Sequence, residues 1–153
     1  MTFRLQATHL FLTYPQCPLE FDVVYDHLLQ LRFNDNCVEL LCLGRELHED
    51  GNPHFHAYVK YQRKLNLRNP NFFDIQSYHP NIQKCKSTND TLKYVTKDGD
   101  YKANFQLKIK YTLAECLERA TDETEFIQLG LQSMDWRFGA SYTSLIKHYP
   151  DPL

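Results

Sequence analysis

The hydrophobic positions in the first sixty residues change period twice, and each change predicts a new element. Residues 8–14 form an apolar and aromatic run that predicts a strand, closed by a proline. Apolar residues then recur at helical spacing across residues 19–33, which predicts a first helix. Two further strands are predicted at residues 38–47 and 53–61. Because Asp50-Gly51 between them is a strong turn signal, these two strands should form a β-hairpin.

The following forty residues contain a polar stretch and then a capped helix. Residues 62–74 predict a loop because they hold Asn-Pro-like breaks, and residues 75–84 predict a short strand that a His-Pro pair interrupts. Ser87 can cap a helix, and a carboxylate three residues later favours the first turn. The second helix should therefore run to about Lys97, and Gly99 ends it.

These elements predict an α+β fold with a ferredoxin-like antiparallel sheet, helices on one face and extra strands around residues 101–109. We assign residues 1–110 to this domain. Residues 111–153 are acidic and predict three helices. The first covers residues 111–120, the second begins at Thr121, and the third covers residues 141–149. This helical segment is predicted to be an oligomerisation region, through which the chain forms a homo-oligomer.

Composition and charge narrow the functional classes. Five cysteines form no CxxC pair, and there is neither a signal peptide nor an apolar run of transmembrane length. This combination predicts a reducing, intracellular setting and no membrane. The net charge of −2 hides a basic middle third, because residues 57–97 carry eight basic and two acidic side chains. A basic patch in an otherwise acidic chain suits contact with phosphates, although a solvated basic surface is the competing interpretation.

The hairpin carries a candidate metal site. In a strand, His54 and His56 point to the same face, because successive side chains alternate. If Glu46 pairs with His54, then His56 faces Gly44, whose missing side chain would leave room beside the ligands. Two imidazoles and a carboxylate with open positions are what a catalytic metal needs. His48 is a possible fourth ligand, but solvation is the better interpretation for a residue of the turn.

A second constellation is predicted on the second helix. Tyr94 and Lys97 are three residues apart and therefore share a helical face, with Asp98 close by. A phenol loses its proton only near pH 10, and a neighbouring cation favours the phenolate. Tyrosine and lysine facing a metal site suit the attack of a tyrosine on a phosphodiester. Each motif alone is weak, and only their joint occurrence is specific.

These motifs occur in the order found in a known family. The chain resembles the HUH endonuclease domain of rolling-circle replication initiators (Rep proteins), and most closely those of geminivirus-like circular single-stranded DNA viruses. The family's three motifs match residues 11–15 (FLTYP), residues 44–56 with the His-hydrophobic-His triplet, and residues 94–99 (YVTKDG). Residues 72–75 and 79–83 resemble a further stretch of geminivirus Reps. The resemblance covers about residues 8–100.

The resemblance implies a role for each matching residue. Tyr94 would be the nucleophile that nicks origin DNA and stays joined to the 5′ phosphate. Glu46, His54 and His56 would hold one divalent cation, Mg²⁺ or Mn²⁺, and the ligand set by itself favours Mn²⁺ because Mg²⁺ prefers oxygen. Lys97 would position the scissile phosphate or the metal-bound group.

Further residues are expected around this centre. Asp98 would support the site from outside, residues 79–83 would shape its surroundings, and the first motif would take part in single-strand recognition. Bases could also stack on Tyr14, Phe72, Phe73 or Tyr78, although core packing is the better interpretation for these aromatics. With the basic side chains that would follow the DNA backbone, the predicted DNA-binding residues are Phe11, Thr13, Tyr14, Lys60, Arg63, Lys64, Arg68, Lys84, Lys86 and Lys93.

Three other functions fit parts of the pattern. Two histidines and a carboxylate also form the iron site of oxygenases, but those enzymes need more strands. A ferredoxin-like sheet with aromatic residues also suits a non-catalytic nucleic-acid-binding module. A plasmid- or transposon-borne HUH relative would keep the chemistry in a different setting. The viral resemblance instead implies the host nucleus, and the helicase of full-length Reps is absent, so the chain is expected to be a fragment or a short gene product.

Overall fold

In the computed structural model, which describes residues 2–47 and 51–133, five strands form an antiparallel sheet. The strands are β1 (Leu5–Tyr14), β2 (Val38–Leu47), β3 (Pro53–Leu67), β4 (Asn81–Lys84) and β5 (Tyr101–Ala103). Their order across the sheet is β4-β1-β3-β2-β5. The predicted α+β class with a ferredoxin-like antiparallel sheet is confirmed, and the two hairpin strands and β1 form its centre.

The first helix, α1 (Phe21–Gln30), covers one face of this sheet. Its apolar residues Val24 and Leu28 are buried in the core cluster that also contains Leu12 and Phe55. The ring of Phe21 lies 6.0 Å from that of Phe55 between centroids. The apolar residues that recur every 3.6 positions on the helix therefore pack against those that recur every second position on the strands. Together they form the main core.

The second helix, α2 (Thr88–Thr96), lies on the opposite face, so the prediction of helices on one face is wrong. Its Tyr94 contacts His56, which points away from the core because it follows Phe55 in the strand. Strand periodicity shows that alternate side chains point to opposite faces of the sheet, but it does not show which helix covers each face. The helix start is as predicted, since the hydroxyl of Ser87 accepts a hydrogen bond from the backbone N–H of Asp90.

The third strand is longer than predicted, and this corrects the loop expected at residues 62–74. β3 continues to Leu67 because β1 begins at Leu5 and pairs with it there. Leu65 and Leu67 are buried and Asn66 between them is exposed, which is ordinary strand alternation. Only β4 remains of the strand predicted at residues 75–84.

The hairpin has the predicted register. Glu46 pairs with His54, and Gly44 pairs with His56. Residues 48–50 lie outside the described part of the chain, so the possible role of His48 stays a prediction. Gly51 has φ +81°, a conformation that glycine adopts without steric cost, which fits its place in the predicted turn.

The chain divides into two compact units, Met1–Gln106 and Leu107–Leu153, slightly before the predicted boundary at residue 110. The second unit contains α3 (Leu113–Arg119) and α4 (Glu123–Ser133). A capping box between Thr112 and Glu115 starts α3. The helix predicted at residues 141–149 lies outside the described residues. Among the helices of the described segments, none is long and apolar enough to cross a membrane.

Candidate active site

A carboxylate and an imidazole meet on the face that α2 covers. Oε2 of Glu46 lies 2.9 Å from Nε2 of His56, although the two residues belong to adjacent strands. The side chain of His56 is only 6% exposed and that of Glu46 is 22% exposed. The hairpin register accounts for this contact, because Glu46 and His56 point to one face and belong to pairs two positions apart, which makes them diagonal neighbours.

Lys97 joins this pair from the end of α2. Its Nζ donates a hydrogen bond to the other carboxylate oxygen of Glu46, Oε1, at 3.2 Å. The same ammonium lies 4.1 Å from the centroid of the Tyr94 ring. The predicted neighbourhood of Tyr94 and Lys97 is therefore present, and a single cation contacts both the carboxylate and the phenol side chain.

Tyr94 stands directly over the histidine. Its ring centroid lies 4.8 Å from that of His56, edge to face, and 5.8 Å from that of Phe11. Tyr94 nevertheless remains 43% exposed. The phenol of α2 and the imidazole of β3 are thus adjacent, and a substrate can reach them from solvent.

Burial and neighbouring charges set the ionisation of this cluster. Burial opposes a charged Glu46, but hydrogen bonds with His56 and Lys97 hold the pKa of its carboxyl below the usual value. Burial lowers the pKa of His56, against the opposing effect of Glu46. Burial also opposes a charged Lys97, but Glu46 raises the pKa of the ammonium. At neutral pH the cluster therefore contains a carboxylate, a neutral imidazole and an ammonium.

Gly44 permits the close approach of α2. A Cβ at this position would lie 2.0 Å from the backbone oxygen of Val95. The prediction that the missing side chain leaves room for the ligands is wrong, because the backbone of α2 fills that space. Glycine is needed here so that α2 can lie on β2 and bring Tyr94 to His56.

Two residues of β1 support the cluster from the other side. The hydroxyl oxygen of Thr13 lies 3.4 Å from Nδ1 of His56, the ring nitrogen that does not face Glu46. The ring of Phe11 stacks on that of His56 with centroids 6.1 Å apart. A hydroxyl can donate or accept, so Thr13 can serve either tautomer of the imidazole.

The donor atoms fit two positions on one metal ion. Among the residues that the structure describes, no three His, Cys, Asp or Glu side chains are grouped so as to hold a metal. However, Nε2 of His56 and Oε2 of Glu46 are 2.9 Å apart. Two adjacent ligand atoms on an octahedral ion with bonds of about 2.1 Å are separated by about 3 Å. The third predicted ligand, His54, is the hairpin partner of Glu46 on the same face.

Comparison with known proteins agrees with this arrangement. Residues 3–109 match the family described as the geminivirus Rep catalytic domain. The chain belongs to this family. The match contains the hairpin, β1 and α2, which are the elements that supply the cluster.

Several plant viruses encode similar proteins. The Rep domain is 37% identical over 99 residues to replication-associated protein A of Tobacco yellow dwarf virus, covering 65% of this chain and 33% of the relative. It is 39% identical over 100 residues to replication-associated protein A of Bean yellow dwarf virus, covering 65% and 34%. It is 40% identical over 114 residues to the replication-associated protein of Cabbage leaf curl virus, covering 71% and 33%. The chain spans about a third of the length of these relatives.

An open groove of about 800 Å³ lies beside the Rep domain's tyrosine. Four of its lining residues are predicted DNA contacts, His56 and Tyr94 are predicted site residues, and Gln83 belongs to the stretch predicted to shape the surroundings of the site. Sequence reasoning missed Ser87, Asp90 and Thr91, because it used the residues at the start of α2 only as signals of the helix start. Its lining residues are Phe11, Thr13, His56, Gln83, Lys84, Lys86, Ser87, Asp90, Thr91 and Tyr94.

Other basic residues of the middle third lie away from this groove. Lys60 pairs with Glu39, and Arg63 pairs with Asp35. At about 3.3 Å per residue, Lys60 lies about 13 Å along β3 from His56. The structure therefore does not bring these residues, or Lys64 and Arg68 beyond them, to the cluster. Lys93 lies on α2 next to the tyrosine in sequence.

Tyr14, a predicted DNA contact, belongs to the core. It is fully buried, and its hydroxyl donates to the backbone carbonyl of Phe73. Its position in β1 points to the α1 face, opposite to Thr13, so it cannot stack on a base. Phe73 is also fully buried, and Phe72 and Tyr78 pack against the same core. Core packing, the preferred interpretation for these aromatics, is confirmed.

Asp98 is exposed beyond the end of α2. The neighbouring carboxylate Asp100 instead pairs with Arg45 of β2, with 2.8 Å between Oδ2 and Nε. Arg45 also lies over the ring of Phe21 at 5.9 Å. This ion pair links the segment after α2 to the hairpin strand that carries Glu46, and the predicted supporting role of Asp98 stays a prediction.

Proposed function

We propose that this Rep domain is a site-specific single-stranded DNA endonuclease and ligase that nicks a replication origin to initiate rolling-circle replication. The observation that carries the proposal is the contact of the exposed Tyr94 with His56 and Lys97, beside an open groove whose lining includes two lysines. A nucleophile, a charged group and a ligand carboxylate then surround one position that a phosphodiester can reach.

In the proposed reaction the phenol oxygen of Tyr94 attacks the scissile phosphorus. The bond from phosphorus to the 3′ oxygen breaks, and the phenol proton is finally carried by the released 3′ hydroxyl. The 5′ phosphate remains esterified to the tyrosine, and attack by a 3′ hydroxyl on this ester reverses the step and joins the strand. Lys97 stabilises the negative charge that develops during the transfer.

Glu46, His54 and His56 would hold one divalent cation, Mg²⁺ or Mn²⁺. When bound, the ion would supply Lewis-acid stabilisation of the phosphoryl oxygens. The mixed imidazole and carboxylate donor set favours Mn²⁺ over Mg²⁺ in binding strength. The residues themselves orient the site, since the paired strands hold Glu46 and His56 in place.

The decisive experiment is mass spectrometry after mixing the chain with a single-stranded oligonucleotide containing the viral origin. An oligonucleotide adduct on Tyr94 that needs Mn²⁺ or Mg²⁺ and is prevented by a chelator is expected. The absence of any adduct under both metals, with an oligonucleotide that the chain binds, would contradict the proposal.

The hydroxyl of Thr13 is expected to support metal binding and nicking by orienting the imidazole of His56. Replacing Thr13 with Val keeps the shape but removes the hydroxyl, so the imidazole loses the partner of its Nδ1. A loss of about 10-fold in metal affinity or nicking rate is expected, since removing such a supporting partner typically costs 10- to 100-fold. Thr13→Ser should restore most of the nicking rate measured with a labelled oligonucleotide. Equal rates for Thr13→Val and wild type would show that the hydroxyl has no such role.

The proposed setting is a viral replication complex in the host nucleus, with single-stranded origin DNA as the partner. We propose that residues 111–153 form the homo-oligomer contact. The full chain should then have a larger mass than residues 1–110 alone in light scattering, beyond the difference in chain length. Monomeric masses for both would remove this assignment.

A further inference from the structure

Both carboxylate oxygens of Glu46 are already engaged. Oε2 lies 2.9 Å from His56 and Oε1 accepts a hydrogen bond from Lys97 at 3.2 Å. A positive charge therefore stands at the carboxylate that is proposed to bind a cation. The side chain of Lys97 is 35% exposed, so this ammonium can leave without disturbing the core.

The same ammonium also contacts the nucleophile. It lies 4.1 Å from the Tyr94 ring centroid, and Tyr94 in turn contacts His56. Lys97 follows the last turn of α2, where its backbone N–H bonds to the carbonyl of Tyr94. Its backbone is thus fixed, while its side chain reaches both the carboxylate and the place where a phosphate would arrive.

We propose that the Lys97 ammonium, which is bound to the Glu46 carboxylate, competes with the divalent cation for that carboxylate. This inference rests on the proposed function and adds a regulation of its site. An ammonium and a dication bound to one carboxylate repel each other strongly, because their separation is only a few ångströms. Lys97 therefore weakens cation binding and holds the Glu46 carboxylate beside His56 until a cation arrives.

The competition couples the cation to the DNA. When Glu46 coordinates a cation, Lys97 loses its carboxylate partner and is free to pair with a phosphate beside Tyr94. Conversely, a bound phosphate draws Lys97 away from Glu46. By linkage, each ligand then strengthens the binding of the other by the same factor. The site would be complete only when cation and DNA are both present.

The test is titration calorimetry of Mn²⁺ into the full chain and into two variants. Lys97→Met removes the competing charge, and about 3- to 10-fold tighter Mn²⁺ binding is expected, with a difference that shrinks as salt is added. Lys102→Met is the matched control, because this lysine lies over the Tyr25 ring on the α1 side of the sheet, opposite to the face that carries the cluster. It should bind Mn²⁺ within about 2-fold of wild type.

The coupling has its own measurement. In the Tyr94→Phe background, which cannot form the adduct, an origin oligonucleotide should tighten Mn²⁺ binding several-fold, and Lys97→Met should remove most of that gain. Lys97→Arg keeps the charge and should bind Mn²⁺ like wild type, and Lys97→Gln should repeat the result of Lys97→Met if both are folded by circular dichroism.

Equal or weaker Mn²⁺ binding by Lys97→Met and Lys97→Gln, relative to wild type, overturns the competition. If the wild-type chain still forms its Tyr94 adduct, the proposed nicking function stands in that case. If wild type binds no Mn²⁺ at all, both the competition and the proposed metal site are wrong.

Discussion

Tyr94→Phe should abolish nicking and covalent adduct formation while single-strand binding stays within about 3-fold of wild type. The phenol oxygen is the only atom removed, and Phe keeps the ring that contacts His56 and Phe11. Losing a nucleophile typically costs about 10⁴-fold or more in rate. The measurements are cleavage of a labelled origin oligonucleotide, mass spectrometry of the protein, and fluorescence anisotropy for binding.

Tyr101→Phe is the matched control. Tyr101 pairs with Gly44 in the sheet and is 44% exposed, about the same as Tyr94 at 43%. It should nick at the wild-type rate. Cleavage by Tyr94→Phe at the wild-type rate would show that another group attacks the phosphate, and would favour a binding role for this surface over the proposed chemistry.

Gly44→Ala should destabilise the Rep domain and reduce nicking at the same time. The new Cβ would lie 2.0 Å from the backbone oxygen of Val95, and a backbone atom cannot turn aside as the end of a side chain can. The helix must therefore move from the sheet, which carries Tyr94 away from His56. Overpacking of this kind typically costs about 1–3 kcal/mol, and we expect the upper end. Denaturant unfolding and the nicking rate at a temperature where the variant is folded measure the two effects.

Gly51→Ala is the control that distinguishes the clash with Val95 from the general cost of replacing a glycine. Gly51 has a left-handed φ of +81°, but within the described segments no atom lies within 4 Å of a Cβ built there. Its strain should cost about 1–2 kcal/mol in the free energy of unfolding, with little change in nicking by the folded variant. If Gly44→Ala is no more harmful to nicking than Gly51→Ala, α2 does not depend on the close approach at Gly44.

The arrangement of the cluster residues could be predicted from the sequence because it depends on residues close together in the chain. Glu46, His54 and His56 belong to one hairpin, and a turn signal with strand alternation is enough to predict their register. Tyr94 and Lys97 are three positions apart on one helix, so their neighbourhood follows from helical geometry alone. Both relations were confirmed as contacts or pairings.

Contacts between segments that are distant in the sequence could not be predicted in this way. The length of β3 depends on whether β1 begins early enough to pair with Leu65 and Leu67, which no property of residues 62–67 reveals. The exposure of Tyr14 depends on which face α1 covers, and its neighbour Thr13 points to the other face. A shift of one residue in a strand exchanges core and surface, so these roles need the whole sheet.

The amino-acid sequence by itself determined the strand register of the hairpin and the family of the chain, and it predicted the nucleophile and the ligand set of the proposed chemistry. Only the tertiary structure decided that α2 crosses the sheet at Gly44, that Lys97 spans Glu46 and Tyr94, and that Thr13 supports His56. The reason is physical. Periodicity and turn residues act over a few bonds, whereas these contacts join segments tens of residues apart and exist only after the helix has packed on the sheet.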